Sequence, residues 1–201
     1  MADPQLLERA ARCYERAGLP GEAARCYRDS GAYRRSAEIF LEIGELQEAA
    51  DDFARGGLID VAAWTLVHRC GDPAAARAVL ATDRPPAAPG AEAPSGAFLR
   101  RQVVLARCAF AEGAAPWTVV ATLTQVCDDF ARQQRLHDAV LEGWCIDLAE
   151  VMGRDDQVAL IFAAAVRGQR AGARQRWEAW SRRVLGADLI LPRDDEPAPV
   201  E

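Results

Sequence analysis

The sequence predicts an all-α protein whose first part is a right-handed α-solenoid of short antiparallel helical hairpins. Two observations lead to this prediction: a thirteen-residue repeat within the first 82 residues, and apolar residues at helical spacing inside each repeat. From residue 97 onward the helical spacing continues in longer segments without the repeat. The second part is therefore expected to be a bundle of longer helices or a continuation of the solenoid.

The repeat is visible in three residue types. An aromatic residue recurs every thirteen positions, a glycine follows it four residues later, and alanines keep the same step. The members are Tyr14, Tyr27, Phe40 and Phe53; Gly18, Gly31, Gly44 and Gly57; and Ala11, Ala24, Ala37, Ala50, Ala63 and Ala76. Such a period is typical of arrays in which each unit buries its apolar face only against its neighbours. We therefore assign the four aromatic residues to the core.

Each unit predicts one short helix that ends at its glycine. Tyr33, Ala37 and Phe40 follow the i, i+4, i+7 spacing of a helix face. Gly44 can then take the left-handed conformation that terminates a helix. A helix of about ten residues is marginal alone in water, where roughly 12 to 15 are needed, so packing must hold it. Two units form a hairpin of 26 residues.

Units such as Ala24–Gly31 (ARCYRDSG) and Ala37–Gly44 (AEIFLEIG) resemble the tetratricopeptide class of α-solenoids. They are more similar to its shorter-helix variants in vesicle-attachment-type and other scaffold proteins. The resemblance covers about residues 10–81 and implies a surface that binds other proteins. Because two units span 26 residues rather than 34, the groove is expected to be shallower. The carboxylate clamp of some of those families uses lysine and asparagine, which this chain lacks, so that binding mode is not expected.

The chain divides by composition into four parts. Residues 1–82 form the repeat solenoid, and 83–96 is a loop or linker rich in proline and alanine. Residues 97–187 form the longer-helix region, and the acidic stretch 188–201 is expected to be disordered. The candidate helices of the third part are 97–112, 116–134, 136–152, 155–168 and 171–185.

Composition excludes several classes of function. All 24 basic residues are arginine, so Schiff-base chemistry and phosphate loops ending in Gly-Lys are excluded. The net charge of −6 disfavours general nucleic-acid binding. No signal peptide or stretch of roughly 18 apolar residues occurs, which predicts a cytoplasmic protein without membrane partners. The richness in alanine, arginine and proline suggests a bacterial source, and we expect no cofactor or metal.

Three aspartate pairs are candidates for metal binding or acid–base chemistry. Asp51 and Asp52 are followed by Arg55, and Asp128 and Asp129 by Arg132, where a magnesium site would need a further carboxylate. Each arginine is expected to pair with the carboxylates instead. We interpret these pairs, together with Asp155 and Asp156, as solvated helix faces.

A cysteine–histidine nucleophile is a further alternative. His68 lies two residues before Cys70, and His137 lies eight residues before Cys145, but neither pair has a third residue to orient the imidazole. We interpret the histidines as half-buried helix positions. The six cysteines, none in a Cys-x-x-Cys pair, are interpreted as small core residues.

The last long helix combines arginines with tryptophans. Trp177 and Trp180 lie on an apolar stripe with Ala173, which favours core anchors with arginines on the solvated side. The alternatives are a protein-binding face or, through base stacking, a nucleic-acid site. The arginines are Arg167, Arg170, Arg174, Arg176, Arg182 and Arg183.

The sequence favours a non-enzymatic scaffold or adaptor that binds other proteins in a multi-protein system. The alternatives are an all-α enzyme with an unrecognised site and a nucleic-acid binder that uses the last helix. In the repeat, a basic cluster beside Tyr33 adjoins an acidic cluster on the following helices, which predicts a bipolar docking surface. The basic cluster is Arg28, Arg34 and Arg35, and the acidic cluster is Glu42, Glu45, Glu48, Asp51 and Asp52. The candidate partner-binding residues are Arg28, Tyr33, Arg34, Arg35, Glu42, Glu45, Glu48, Arg170 and Arg174.

Overall fold

The computed structural model describes residues 3–83, 95–132 and 138–191, and all regular structure in these residues is helical. The described residues form two compact units. The first contains residues 3–83 and Val104–Ala114, and the second contains the remaining described residues. Among the described helices, none has the length and apolar character that a membrane crossing requires. Most of the predicted linker and acidic tail, residues 84–94 and 192–201, lies outside the described residues.

Six short helices and one π-helical segment precede residue 84. They are α1 (Pro4–Arg16), α2 (Pro20–Ser30), α3 (Tyr33–Glu42), α4 (Leu46–Arg55), α5 (Ile59–Trp64), the π-helical segment Thr65–Arg69 and α6 (Pro73–Ala81). Each helix packs against the next one along the chain. This consecutive packing is compatible with a helical repeat, and the predicted short helices are confirmed.

The predicted glycine caps are present in all four repeats. Gly31 has a φ of +85° and donates its N–H to the Arg28 carbonyl, while Ala32 donates to the carbonyl of Tyr27 at 2.9 Å. These two bonds close the end of α2 in the pattern that favours glycine. In every repeat the carbonyl of the aromatic residue accepts the bond that spans five residues, while the glycine N–H bonds to a carbonyl three residues earlier. The donors of the five-residue bonds are the N–H groups of Leu19, Ala32, Glu45 and Leu58.

The aromatic residues of the repeat are buried except for the first. Tyr27, Phe40 and Phe53 lie in the core beside alanines that are fully covered. Tyr14, however, exposes 38 % of its surface, so its predicted core position is wrong. Tyr27 contacts Glu15 on the preceding helix, whereas no described helix precedes α1.

The π-helical segment accommodates one extra residue in the repeat. Gly57 and Gly71, both at positive φ, are fourteen residues apart instead of thirteen. At the end of the segment Cys70 donates its N–H to the carbonyl of Thr65, five residues earlier. Asp72 then caps α6 by accepting the N–H of Ala75 at 2.8 Å.

The longer helices match their predicted positions to within a few residues. They are α7 (Gly96–Ala111), α8 (Pro116–Arg132), α9 (Ala139–Val151), α10 (Asp155–Arg167) and α11 (Ala173–Val184). α10 packs against α8, α9 and α11, and α7 contributes residues to both units.

The tryptophans of α11 are core anchors, as predicted. Trp177 and Trp180 are both buried, stack with ring centroids 5.5 Å apart, and Trp177 meets Phe162 edge to face. Each indole N–H has an acceptor: Trp177 donates to the Leu189 carbonyl at 2.5 Å, and Trp180 to Glu150 at 2.6 Å. Buried tryptophans need such partners.

Candidate functional site

An open groove in the first unit brings together three of the predicted partner-binding residues. Its volume is about 580 Å³, and it lies where α2 gives way to α3. The residues that line it are Gly31, Ala32, Tyr33, Arg34, Arg35, Glu38 and Gly56. We call it the Tyr33 groove.

Two glycines shape the Tyr33 groove. The left-handed turn at Gly31 leads directly into α3, so Tyr33, Arg34 and Arg35 form the first turn of a helix. Gly56 ends α4 on the other side, where an added Cβ would lie only 3.3 Å from the Cβ of Tyr33. The absence of a side chain at Gly56 thus lets the end of α4 approach Tyr33 closely.

The two arginines of the groove differ in how firmly they are held. The Arg34 side chain is 77 % exposed, and its Nε donates to Glu38 one turn later at 3.0 Å. Arg35 instead reaches α1, where its Nη2 donates to Glu15 at 2.5 Å. Exposed pairs at i, i+4 contribute only about 0.3–0.5 kcal/mol, so Arg34 can exchange Glu38 for an external anion at little cost.

Glu15 links three helices of the first unit. Besides accepting from Arg35, it accepts the hydroxyl hydrogen of Tyr27 at 3.0 Å. The bond from Arg35 lowers the pKa of Glu15, against a smaller effect of burial. Burial, and then the bond to Glu15, raise the pKa of Tyr27. The two bonds to Glu15 therefore connect the Arg35 guanidinium to α1 and, through Glu15, to Tyr27 on α2.

Arg28, a further predicted partner-binding residue, lies in an internal ion pair. Its Nε donates to both carboxylate oxygens of Asp52, at 2.8 and 2.9 Å, and its Nη2 lies 2.6 Å from Glu48. The guanidinium carbon also lies 4.8 Å from the ring centroid of Phe40. Burial opposes the charge of Arg28, but the bonds to Asp52 and Glu48 outweigh it and raise the pKa.

Asp52 is fully buried, so its predicted place on a solvated helix face is wrong. Ser36, also fully buried, lies with its hydroxyl oxygen 2.6 Å from Asp52 and 2.8 Å from the carbonyl of Ala24. The predicted pairing with Arg55 is confirmed at 3.6 Å. Asp52 is therefore a structural carboxylate held by Arg28, Ser36 and Arg55. Buried charges require such compensation.

The remaining acidic candidates are at the surface. Glu42 and Glu45 are exposed near the end of α3, while Glu48 on α4 is half-buried and bound to Arg28. Glu48 is therefore partly neutralised within the chain. Of the predicted acidic cluster, Glu42, Glu45 and Asp51 are exposed and form no ion pair in the part of the chain that the structure describes.

Arg170 and Arg174 lie in the second unit. Arg170 lines a separate cavity of about 380 Å³, together with Asp138, Ala139, Glu142, Gly143, Ile146, Ala171 and Arg176. Glu142 is buried there and accepts from Arg176 at 2.6 Å. Burial lowers the pKa of Arg170, with Glu142 opposing. Arg174 is exposed and does not line this cavity.

The possible nucleophile at Cys70 has the wrong electrostatics. Although Cys70 is exposed as a residue, partial desolvation of its thiol, followed by the charge of Asp72, raises the pKa, whereas a cysteine nucleophile needs a lowered pKa. His68 stacks on Trp64 with ring centroids 4.7 Å apart and nearly parallel planes. The other predicted pair includes His137, which lies outside the described residues.

Metal-binding geometry is also absent from the described residues. No three histidine, cysteine, aspartate or glutamate side chains within residues 3–83, 95–132 and 138–191 are grouped as a metal would require. Asp129 pairs with Arg132 at 3.2 Å, as predicted, and Asp156 pairs with Arg154 at 2.6 Å. In both of these aspartate pairs, one carboxylate therefore forms an ion pair with an arginine.

The buried cluster of Arg28, Ser36 and Asp52 was not recognised from the sequence, although the repeat contains a signal for it. Counting in steps of thirteen, Arg28 corresponds to Leu41, and Asp52 corresponds to Ile39. These positions are apolar in the adjacent repeat, and the polar residues that replace them come together in space. Deviations from the repeat, rather than charge density, would have identified the cluster.

The chain matches no protein-family model, no curated protein and no solved structure with which it was compared.

Proposed function

We propose that the first unit is a right-handed solenoid of antiparallel helical hairpins that serves as a non-enzymatic docking module. In this function the protein is a scaffold or adaptor of a multi-protein system in the bacterial cytoplasm. The observation that supports it best is the Tyr33 groove, because Tyr33, Arg34 and Arg35 line one open surface. Tyrosine and arginine are enriched among the residues that contribute most to protein–protein binding.

The charges of the groove favour an acidic segment of the partner. Arg34 is exposed and held only by a surface pair with Glu38. Its guanidinium can bind a carboxylate with two parallel hydrogen bonds. Tyr33 offers an aromatic surface beside it, which provides contact area at a small cost in side-chain entropy.

Ion pairs within the chain order this surface before a partner binds. Arg35 is fixed by Glu15, and the neighbouring helices are tied by the contact of Arg28 with Asp52. A groove that is ordered before binding loses less conformational entropy when the partner arrives. The groove therefore suits a preformed docking site.

The two alternative functions receive less support from the described residues. Base stacking needs exposed aromatic faces, but Trp177 and Trp180 are buried. Catalysis by Cys70 needs a stabilised thiolate, but the pKa of that thiol is raised.

Affinity capture with the full chain tests the proposal. The tagged wild type and the variant Arg34→Glu are each exposed to extract of the native host, and the retained proteins are quantified by mass spectrometry. Because the variant reverses the exposed charge of the groove, we expect at least tenfold less of the proteins that the wild type retains specifically.

A matched control separates the groove from general surface charge. Arg25 on α2 is also exposed and pairs with Glu22 on its own helix at 2.6 Å. Arg25→Glu should retain the same proteins as the wild type. Equal retention by Arg34→Glu and wild type would refute docking at the groove, and so would the absence of any protein specific to the wild type.

A further inference from the structure

The first and second units of the repeat differ in how well the same positions are covered. Tyr14 on α1 is 38 % exposed, whereas Tyr27, thirteen residues later on α2, is 8 % exposed. Cys13 is exposed while its counterpart Cys26 is half-buried, and Ala10 is half-buried while Ala23 is fully covered. We call Ala10, Cys13 and Tyr14 the outer face of α1.

The helix that covers Tyr27 shows what an occupant of the outer face must supply. α1 presents Ala11, which is fully buried, and Glu15, which accepts the hydroxyl hydrogen of Tyr27 at 3.0 Å. Tyr27 thus meets a carboxylate of the preceding helix and shares its buried cluster with a small residue of that helix. No equivalent carboxylate meets Tyr14 within the described residues.

The border of the outer face is positively charged. Arg9 and Arg16 are exposed and seven residues apart, which places them on one side of α1 two turns from each other. They lie next to Cys13, at i−4 and i+3, on the same side of the helix. Within the described residues, neither arginine has a carboxylate partner at ion-pair distance.

We propose that the outer face of α1 docks an acidic amphipathic helix of a partner protein, which continues the array by one unit. This inference extends the proposed docking function to a second surface and rests on it. The partner helix places a small residue against Tyr14, a carboxylate on the Tyr14 hydroxyl, and acidic residues against Arg9 and Arg16. A second copy of this chain is a poor occupant, because α1 against α1 would bring the arginines of both copies together.

The proposal is tested with the full chain and a synthetic peptide. The peptide has the sequence of residues 4–19 with Arg9→Glu, Arg12→Glu and Arg16→Glu, so it retains the counterparts of Ala11 and Glu15. Fluorescence anisotropy of the labelled peptide measures its affinity for the protein. We expect saturable binding, and at least a tenfold loss when the protein carries Arg9→Glu and Arg16→Glu. Replacement of Arg25 by Glu in the protein should leave the affinity unchanged.

Thiol labelling locates the bound peptide. Cys13 and Cys70 are both exposed, and only Cys13 belongs to the outer face. Saturating peptide should slow alkylation of Cys13 at least fivefold and leave that of Cys70 unchanged, as read by mass spectrometry. A peptide with the original arginines should neither bind nor protect Cys13.

Three outcomes with the peptide would overturn the proposal. They are absence of saturable binding at millimolar peptide, binding that ignores the charge reversal at Arg9 and Arg16, and binding without protection of Cys13. Protection of Cys13 that grows with protein concentration alone would assign the face to a second copy and also refute it. The capture experiment with Arg34→Glu concerns the Tyr33 groove, so either surface can fail while the other is upheld.

Discussion

Arg28 and Asp52 form a buried ion pair between α2 and α4 at positions where the adjacent repeat is apolar. The counterparts of these two residues, one unit away, are Leu41 and Ile39. The hydroxyl of Ser36 on α3 joins the pair from the helix between them. Because the repeat units are so similar, they could also pack in a shifted register, but the polar cluster can form in only one alignment and so disfavours the others. Buried polar residues are known to specify register in this way.

Removing one partner of this pair is expected to be strongly destabilising. Arg28→Leu leaves Asp52 buried without the Nε–H group that both of its oxygens share, at a cost of about 3–5 kcal/mol in the free energy of unfolding. Adding Asp52→Ile and Ser36→Ala restores the apolar pattern of the repeat, and the triple variant should equal or exceed the wild type. Urea denaturation followed by circular dichroism measures both. Arg25→Leu on the same helix, where the arginine is exposed, should stay within about 0.5 kcal/mol. A single variant as stable as the wild type would exclude a structural role for the pair.

The repeat positions of Arg28 and Glu48, which also form an inter-helix ion pair, hold a second such pair one unit earlier with the charges exchanged. Glu15 contacts Arg35 twenty residues ahead, and Arg28 contacts Glu48 at the same separation one unit later. The next pair in the series is Leu41 and Val61, both apolar. Ion pairs twenty residues apart therefore join α1 to α3 and α2 to α4.

Acid should weaken the protein partly through Glu15. Arg35 holds the pKa of Glu15 below its ordinary value in the folded state. The resulting stabilisation is complete above the unfolded pKa of roughly 4.3 and is lost as the pH falls through the lower folded pKa. The free energy of unfolding, measured from pH 7 down to pH 3, should therefore fall more steeply for the wild type than for Glu15→Gln. Glu42→Gln, at an exposed position, should follow the wild type. Parallel curves for Glu15→Gln and wild type would contradict the assignment.

The repeat allowed much of the first unit to be predicted, because its period reports local chemistry. A glycine thirteen residues after the last one marks a helix end wherever the turn requires positive φ, as at Gly31 and Gly44. Whether a neighbouring helix covers a residue depends on tertiary packing and not on the local sequence, so the repeat did not predict the exposure of Tyr14. A step of fourteen between Gly57 and Gly71 was the available sign of the π-helical segment.

The candidate site was predicted only in part, for a related reason. Tyr33, Arg34 and Arg35 are adjacent in sequence, so their common location at the groove follows from one helical turn. Arg28 and Asp52 meet across twenty-four residues, and charge counting placed them in two separate surface clusters. Which arginine is neutralised inside the chain depends on tertiary pairing.

Thiol reactivity should separate the cysteines by burial. Cys13 and Cys70 are exposed, so the prediction that all six are core residues is wrong for these two. Cys108, Cys127 and Cys145 are buried, and burial raises the pKa of Cys127 to about 12. At pH 8 we expect Cys13 and Cys70 to react with iodoacetamide in the folded protein, and the three buried thiols only after unfolding. Mass spectrometry of tryptic peptides identifies the sites. Rapid labelling of Cys127 or Cys145 without denaturant would disprove their burial.

The helix end at Gly44 gives a direct test of the one-helix-per-unit fold. Its φ of +84° lies in the left-handed region, and no atom lies within 4 Å of a Cβ added there, so the cost of a side chain comes from backbone strain alone. Gly44→Ala should lower the free energy of unfolding by about 1–2 kcal/mol. Gly44→Val should cost more, because β-branched residues are genuine outliers at positive φ. Gly143→Ala is the matched control: an added Cβ also meets nothing there, but Gly143 lies inside α9, where alanine is expected to stabilise by roughly 0.5–1 kcal/mol. If Gly44→Val unfolds at the same urea concentration as the wild type, α3 does not end at a left-handed glycine.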